Sequence, residues 1–203
     1  MAQEVSTKNR ITEGSIFGQL LLFFFPILFG TFFQQLYNTA DAMVVGRFVG
    51  KQALAAVGGS TSTLINLLVG FFVGLSSGAT VVISQFYGAR KADKVHWAVH
   101  TSIAFSVIGG IIFMIVGLVG SPWALEAMKT PEDVMGHAVV YIRIYFLGII
   151  VNLVYNMGAG ILRAVGDSRR PLYFLFMAGV VNVALNLFFV IGLGMGVDGV
   201  GWA

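Results

Sequence analysis

The sequence has no cysteine and few charged residues, and both absences narrow the classes of protein that it can encode. Without cysteine there is no disulfide, no thiolate metal site and no thiol nucleophile. Asp, Glu, Lys and Arg make up 10% of the 203 residues, against roughly 25% in an average soluble domain. The net charge of +3 comes from bases that flank apolar runs, so it does not indicate affinity for nucleic acid.

Long uncharged runs are abundant instead. Hydrophobic residues make up 57% of the chain, and stretches without Asp, Glu, Lys or Arg extend over 14–40, 52–89, 95–125 and 171–197. A bilayer core of about 30 Å is crossed by about 20 helical residues. We therefore predict an all-α integral membrane protein with five complete transmembrane helices, at about 15–40, 53–84, 96–120, 135–161 and 171–193. A sixth begins near Val200, where the chain stops.

The basic residues predict an orientation in the membrane. Eight flank the first helix or lie in the second and fourth connections: Lys8, Arg10, Arg90, Lys91, Lys94, Arg163, Arg169 and Arg170. The opposite side has three: Arg47, Lys51 and Lys129. The excess predicts a multi-pass protein of the cell membrane, with segment 1–14 and both basic loops in the cytoplasm. The polar leader and the long apolar run after it are not typical of a cleavable signal peptide.

One face of the first helix is polar. Its residues, spaced three, four and three apart, are Thr31, Gln34, Asn38 and Asp41. That spacing aligns the side chains, and a polar face towards lipid is costly, so it is predicted to face the protein or a watery cavity. Alternatively, Asp41 lies at the outer headgroup boundary near Arg47 and Lys51 and faces water.

Amides recur on two later helices. Asn152 and Asn156 are four residues apart on the fourth helix, and Asn182 and Asn186 repeat that spacing on the fifth. Any single buried Asn can serve only to hydrogen-bond two helices. Together with a carboxylate they predict a hydrated polar pocket with one titratable group. Desolvation raises a carboxyl pKa and donated hydrogen bonds lower it, so such a pocket links protonation to conformation.

Catalytic and metal-binding patterns are weak. His96 and His100 have a metal-compatible spacing, but no third ligand lies nearby, which favours an interfacial role. The sequence shows no nucleophile paired with a base. We predict that the chain is not an enzyme and holds neither a metal nor a cofactor.

Glycine and proline residues predict where helices pack closely and where one is kinked. Gly70, Gly74 and Gly78 line one face of the second helix, which predicts close packing against a neighbour. Pro26 lies inside the first helix, where it removes a backbone hydrogen bond and predicts a kink.

Four motifs together resemble the amino-terminal half of the multidrug and toxic compound extrusion (MATE) transporters. In order they are Pro26 followed by "QQLYNTADAMVVG", then "QFYGARKADK", "GILRAVGDSRRP" and "NVALN". The resemblance covers nearly all of residues 15–203. It implies one six-helix lobe of a twelve-helix transporter that exports amphipathic, often cationic compounds in exchange for H⁺ or Na⁺.

The resemblance also implies site residues. The acidic position of the family in helix one matches Asp41, and its polar network matches Tyr141, Asn182 and Asn186. Some members have a second acid where this sequence has Asn186. The predicted site is therefore Asp41 for ion coupling, with a polar network of Gln34, Asn38, Tyr141, Asn156, Asn182 and Asn186.

Two other functions remain open at this stage. One is a lipid-linked oligosaccharide flippase of related architecture, which needs a cationic cavity, whereas Arg143 is the one base predicted within a span. The other is a non-transporting half-size membrane subunit. The family is about twice this long, so transport is expected to need a second lobe, from a missing carboxy-terminal half or a paired chain.

Overall fold

A computed structural model describes residues 16–203, and this part of the chain is helical without any strand. The elements, in chain order, are α1 (Ile16–Val44), a π-helical turn (Val45–Val49), α2 (Lys51–Gly58), α3 (Ser60–Gly88), α4 (Ala92–Ala127), α5 (Glu132–Ala164), α6 (Arg169–Leu187), a second π-helical turn (Phe188–Gly192) and α7 (Gly196–Trp202). The predicted cytoplasmic segment 1–14, with Lys8 and Arg10, lies outside the described residues.

The predicted membrane fold is confirmed. Within residues 16–203, five helical stretches are long and apolar enough to cross a membrane: Phe17–Val49, Lys51–Gly88, Ala92–Ala127, Glu132–Ala164 and Arg169–Gly192. Most run past the predicted ends, because a helix continues through the charged residues at the headgroups while hydropathy falls there. The second span is two helices, α2 and α3, separated at Gly59.

Helix α5 is the centre of a three-helix bundle with α3 and α4. Its buried residues recur at three- and four-residue spacing along one face, as in Ala138, Ile142, Phe146, Ile149 and Leu153. These side chains form the largest apolar cluster of the described residues. On the outer faces of the helices, large apolar side chains are exposed, as expected for surfaces that contact lipid.

Helices α1 and α6 form a second, parallel pair beside this bundle, in contact from Gly30 and Leu175 at one end to Asp41 and Asn186 at the other. The pair joins the rest of the lobe mainly at one membrane end, through a cluster of Val44, Val45, Ala53, Val190, Val197 and Val200. Helix α6 itself makes few contacts with α5.

The predicted packing role of the α3 glycines is wrong within the described chain. A Cβ built on Gly70, Gly74 or Gly78 meets no atom within 4 Å. The close approach occurs instead on α4, where a Cβ on Gly110 lies 3.0 Å from Ile150 Cα and one on Gly117 overlaps the Phe146 ring. Periodicity indicates that small residues share a face, but not that another helix covers it.

Both helices of the α1–α6 pair change geometry at corresponding places. Helix α1 becomes π-helical four residues after Asp41, and α6 does so two residues after Asn186. The two π-helical turns also contact each other. A π-helical turn holds an extra residue and occurs often at functional sites. Pro26 lies within α1, eighteen residues before Val44, the last residue of the helix.

Candidate functional site

A hydrogen bond between α1 and α6 is the centre of the candidate site. The Asn186 Nδ2–H donates to Asp41 Oδ1 over 2.6 Å. Asn186 is 1% exposed, and Asp41 is half-buried. The carboxylate is therefore hydrogen-bonded to a neighbouring helix. The alternative, in which Asp41 lies at the headgroup boundary and simply faces water, does not account for this contact.

Two tyrosines complete the surroundings of Asp41. Tyr37 lies one turn earlier on α1 and Tyr141 approaches from α5, and both are close enough to interact electrostatically with the carboxylate. Tyr141 also packs against the apolar cluster that joins the helix pair to the bundle. Residues from three helices thus surround one acidic group.

Two amide oxygens beside this contact have no partner among the described residues. They are Asn182 Oδ1 and Asn186 Oδ1, both buried. Leaving a buried acceptor unpaired costs about 1–3 kcal/mol. Such acceptors are suited to a proton donor or a cation, because either one supplies what the oxygen lacks.

A separate cavity of about 130 Å³ lies between α1, α5 and α6. Gln34 and Asn156 line it together with Tyr155 and Arg163, and Pro26 forms part of its wall. Asn156 donates to the backbone and side-chain oxygens of Asn152, each over 2.8 Å. The predicted polar network is thus divided into two groups, one at Asp41 and one at this cavity.

Tyr37 connects the two groups, and the sequence reading missed it. Its side chain hydrogen-bonds to Gln34 and interacts with Asp41. The spacing of four residues between Tyr37 and Asp41 was the available signal. Asn38, by contrast, is exposed and makes no side-chain hydrogen bond with the described residues.

The remaining polar residues of the sequence reading are outside both groups. Arg143 is exposed on α5, and Arg163, predicted as a loop base, is the base that lines the cavity. The His100 Nδ1 atom lies 2.9 Å from the backbone oxygen of His96. Across the described residues, no group of three His, Cys, Asp or Glu side chains is placed to hold a metal ion.

Comparison with known proteins assigns the family. The sequence profile of the MatE family matches residues 26–197. The chain belongs to the MatE family. A relative, the probable multidrug resistance protein YoeA of Bacillus subtilis, is 31% identical over 192 residues, which cover 95% of this chain and 41% of YoeA. The predicted resemblance to MATE transporters is confirmed, and membership favours a transporter over an enzyme.

Solved MATE structures share the fold. A crystal structure of MATE in complex with MaD3S has a TM-score of 0.89 and 26% identity, covering 97% of this chain and 44% of that one. A MOP superfamily transporter from Pyrococcus furiosus, for which a reversed binding-pocket polarity suggests a different function, has a TM-score of 0.90 and 26% identity over 97% of this chain and 43% of its own. The chain spans about two fifths of the length of these MATE relatives.

Replacing Asn186 with Leu is expected to lower the free energy of unfolding by about 1–2 kcal/mol, since it removes the donor to Asp41 at nearly constant volume. Unfolding in mixed detergent, followed by circular dichroism, measures it. Asn66→Leu on the exposed face of α3 is the matched control and should leave stability within about 0.5 kcal/mol of the parent. An equal loss in both variants would contradict a specific role for the contact.

Proposed function

We propose that the chain is one lobe of a secondary active multidrug exporter, an antiporter that exchanges H⁺ or Na⁺ for amphipathic, often cationic compounds by alternating access. The observation that carries the proposal is the Asp41–Asn186 hydrogen bond between α1 and α6. A cation held at Asp41 would alter how tightly these two helices are held together. Ion binding and helix position are then linked.

Asn186 is chemically suited to both states of Asp41. Its Nδ2–H donates to the ionised carboxylate, as in the structure. Its free Oδ1 would accept from a protonated Asp41 after rotation of the amide. A bound Na⁺ would likewise find oxygen ligands in Asp41, Asn186 and Asn182. The site therefore accommodates either coupling ion without a second acid.

The apolar side chains of the two helices that carry the site support transport of varied amphipathic cations. Aromatic and aliphatic side chains of α1 and α6 adapt to ligands of different shape better than a rigid polar cage does. One lobe alone offers no second bundle to rock against, so we propose that the active exporter pairs this lobe with another. The basic ends of α3, α4 and α6 support an orientation with these ends in the cytoplasm of a cell membrane.

The flippase alternative has less support. A pyrophosphate headgroup calls for several bases around a wide cavity. Among the described residues, the 130 Å³ cavity between α1, α5 and α6 is lined by one base, Arg163. The geometry at Asp41 favours binding of a cation instead.

The test is exchange in sealed vesicles. The lobe would be joined to the carboxy-terminal lobe of YoeA and reconstituted with a pH-sensitive dye inside. When a cationic transport substrate, itself a dye, is added to one side of the membrane, protons or Na⁺ are expected to cross in the opposite direction. Conversely, an imposed gradient of either ion should drive movement of the cationic dye. Dye movement that ignores both gradients would overturn antiport, and no dye movement at all in the assembled two-lobe protein would favour a non-transporting subunit.

A further inference from the structure

The corner between α3 and α4 encloses a cavity that the transport proposal does not use. Its volume is about 590 Å³. It is lined by Tyr87, Arg90, Lys91, Ala92, Val95, His96 and Val99. One side is thus basic and exposed, and the other consists of half-buried valines on α4.

The charge around this cavity is mainly positive. Arg90 and Lys91 line it, and Lys94 lies beside it with its Nζ 5.7 Å from the centre of the Phe86 ring. The acid on the facing elements is Asp93, in the first turn of α4. Among the described residues no side chain caps the start of α4, so its first backbone N–H groups are free to donate. The combination of bases, free N–H groups and a helix N-terminus suits a phosphate.

Two tryptophans show where this corner lies relative to the bilayer. Trp97 and Trp123 are 69% and 75% exposed on α4. At 1.5 Å per residue they are roughly 39 Å apart along the helix. That distance approaches the 40–45 Å between the two headgroup regions, where exposed Trp side chains are enriched. The cavity is therefore at headgroup level, with its valines towards the acyl chains.

We propose that the α3–α4 corner binds the headgroup of an anionic phospholipid of the phosphatidylglycerol class. Arg90 and Lys91 bind the phosphate, the free N–H groups of α4 donate to its oxygens, and Val95 and Val99 contact the start of the acyl chains. The lipid comes from the leaflet on this side, which is the cytoplasmic one in the proposed orientation. Bases placed between membrane helices in this way select anionic over neutral headgroups.

Trp97 provides the measurement, because it directly follows His96, which lines the cavity, and its side chain is exposed. The chain carrying Trp123→Phe and Trp202→Phe would be reconstituted in phosphatidylcholine vesicles. Quenching of Trp97 fluorescence would then be compared between brominated phosphatidylglycerol and brominated phosphatidylcholine at equal mole fraction. We expect half-quenching at a mole fraction roughly ten- to thirtyfold lower for the anionic lipid, and we expect Arg90→Gln with Lys91→Gln to abolish the difference.

Two further variants separate a built site from a general surface charge. Arg169→Gln with Arg170→Gln removes two bases at the same membrane end and should keep the preference. Val95→Phe fills the cavity with all charges retained and should reduce it, with helicity checked by circular dichroism in each case. The proposal is wrong if the Arg90 and Lys91 variant keeps its preference, if the Arg169 and Arg170 variant loses as much, or if filling the cavity has no effect. None of these results bears on antiport at Asp41.

Discussion

Replacing Asp41 with Asn is expected to lower ion-driven export of the dye strongly while the lobe stays folded. The Asn side chain keeps an oxygen that accepts from Asn186 Nδ2, so the α1–α6 contact persists in shape. It has no negative charge and takes up no proton. Because coupling free energies of 1–3 kcal/mol correspond to about 5- to 150-fold, ion-driven dye movement should fall by that range in the vesicle assay.

The control for this variant is Glu126→Gln, which neutralises an exposed acid near the end of α4. It should transport like the parent. The decisive comparison is between ion-driven movement and the binding of dye without a gradient, because a coupling residue affects the first far more. Undiminished ion-driven efflux by the Asp41→Asn protein would remove the basis of the proposed mechanism.

Replacing Gly117 with Val is expected to destabilise the lobe by about 3 kcal/mol, the upper end of the range for overpacking. A Cβ at this position overlaps the ring of Phe146, which is 4% exposed in the largest apolar cluster. Helices α4 and α5 form the most extensive helix pair of the described chain. Pushing them apart at Gly117 therefore disturbs contacts along much of their length. Unfolding in mixed detergent should show the loss as an earlier midpoint.

Gly120→Val is the matched control on the same helix. A Cβ at Gly120 meets no atom within 4 Å, while the change in helix propensity is the same. The difference between the two variants therefore isolates the contact with Phe146. Equal stability of the two variants would contradict the prediction, because it would mean that Phe146 and α5 move aside without loss of stability.

The membrane fold was predictable because the bilayer imposes it directly. A span is determined by the length of an uncharged run, so the five helices follow from composition and order alone. Their ends were less predictable, as in α4, where the helix continues through Glu126 after hydropathy has fallen. The division of the second span at Gly59 depends on backbone geometry that no hydropathy profile contains.

The candidate site was predictable in its residue types but not in its grouping. Spacing places Gln34, Asn38 and Asp41 on one face of α1, and that led to the expectation of a single pocket. In the structure Asp41 pairs with Asn186, Gln34 lines the cavity and Asn38 is in neither group. Which residue meets which depends on the angle between helices, and a single sequence does not encode that angle in any local pattern.

The π-helical turns after Asp41 and Asn186 have a mechanical consequence. Each one holds a surplus residue in the last turn of its helix, just before the helix ends. If the surplus residue shifts by one position along the helix, the residue that it passes rotates by roughly 100° about the helix axis, while the backbone remains hydrogen-bonded. A shift of this kind that reached Asp41 or Asn186 would separate the carboxylate from the amide without unwinding the helix.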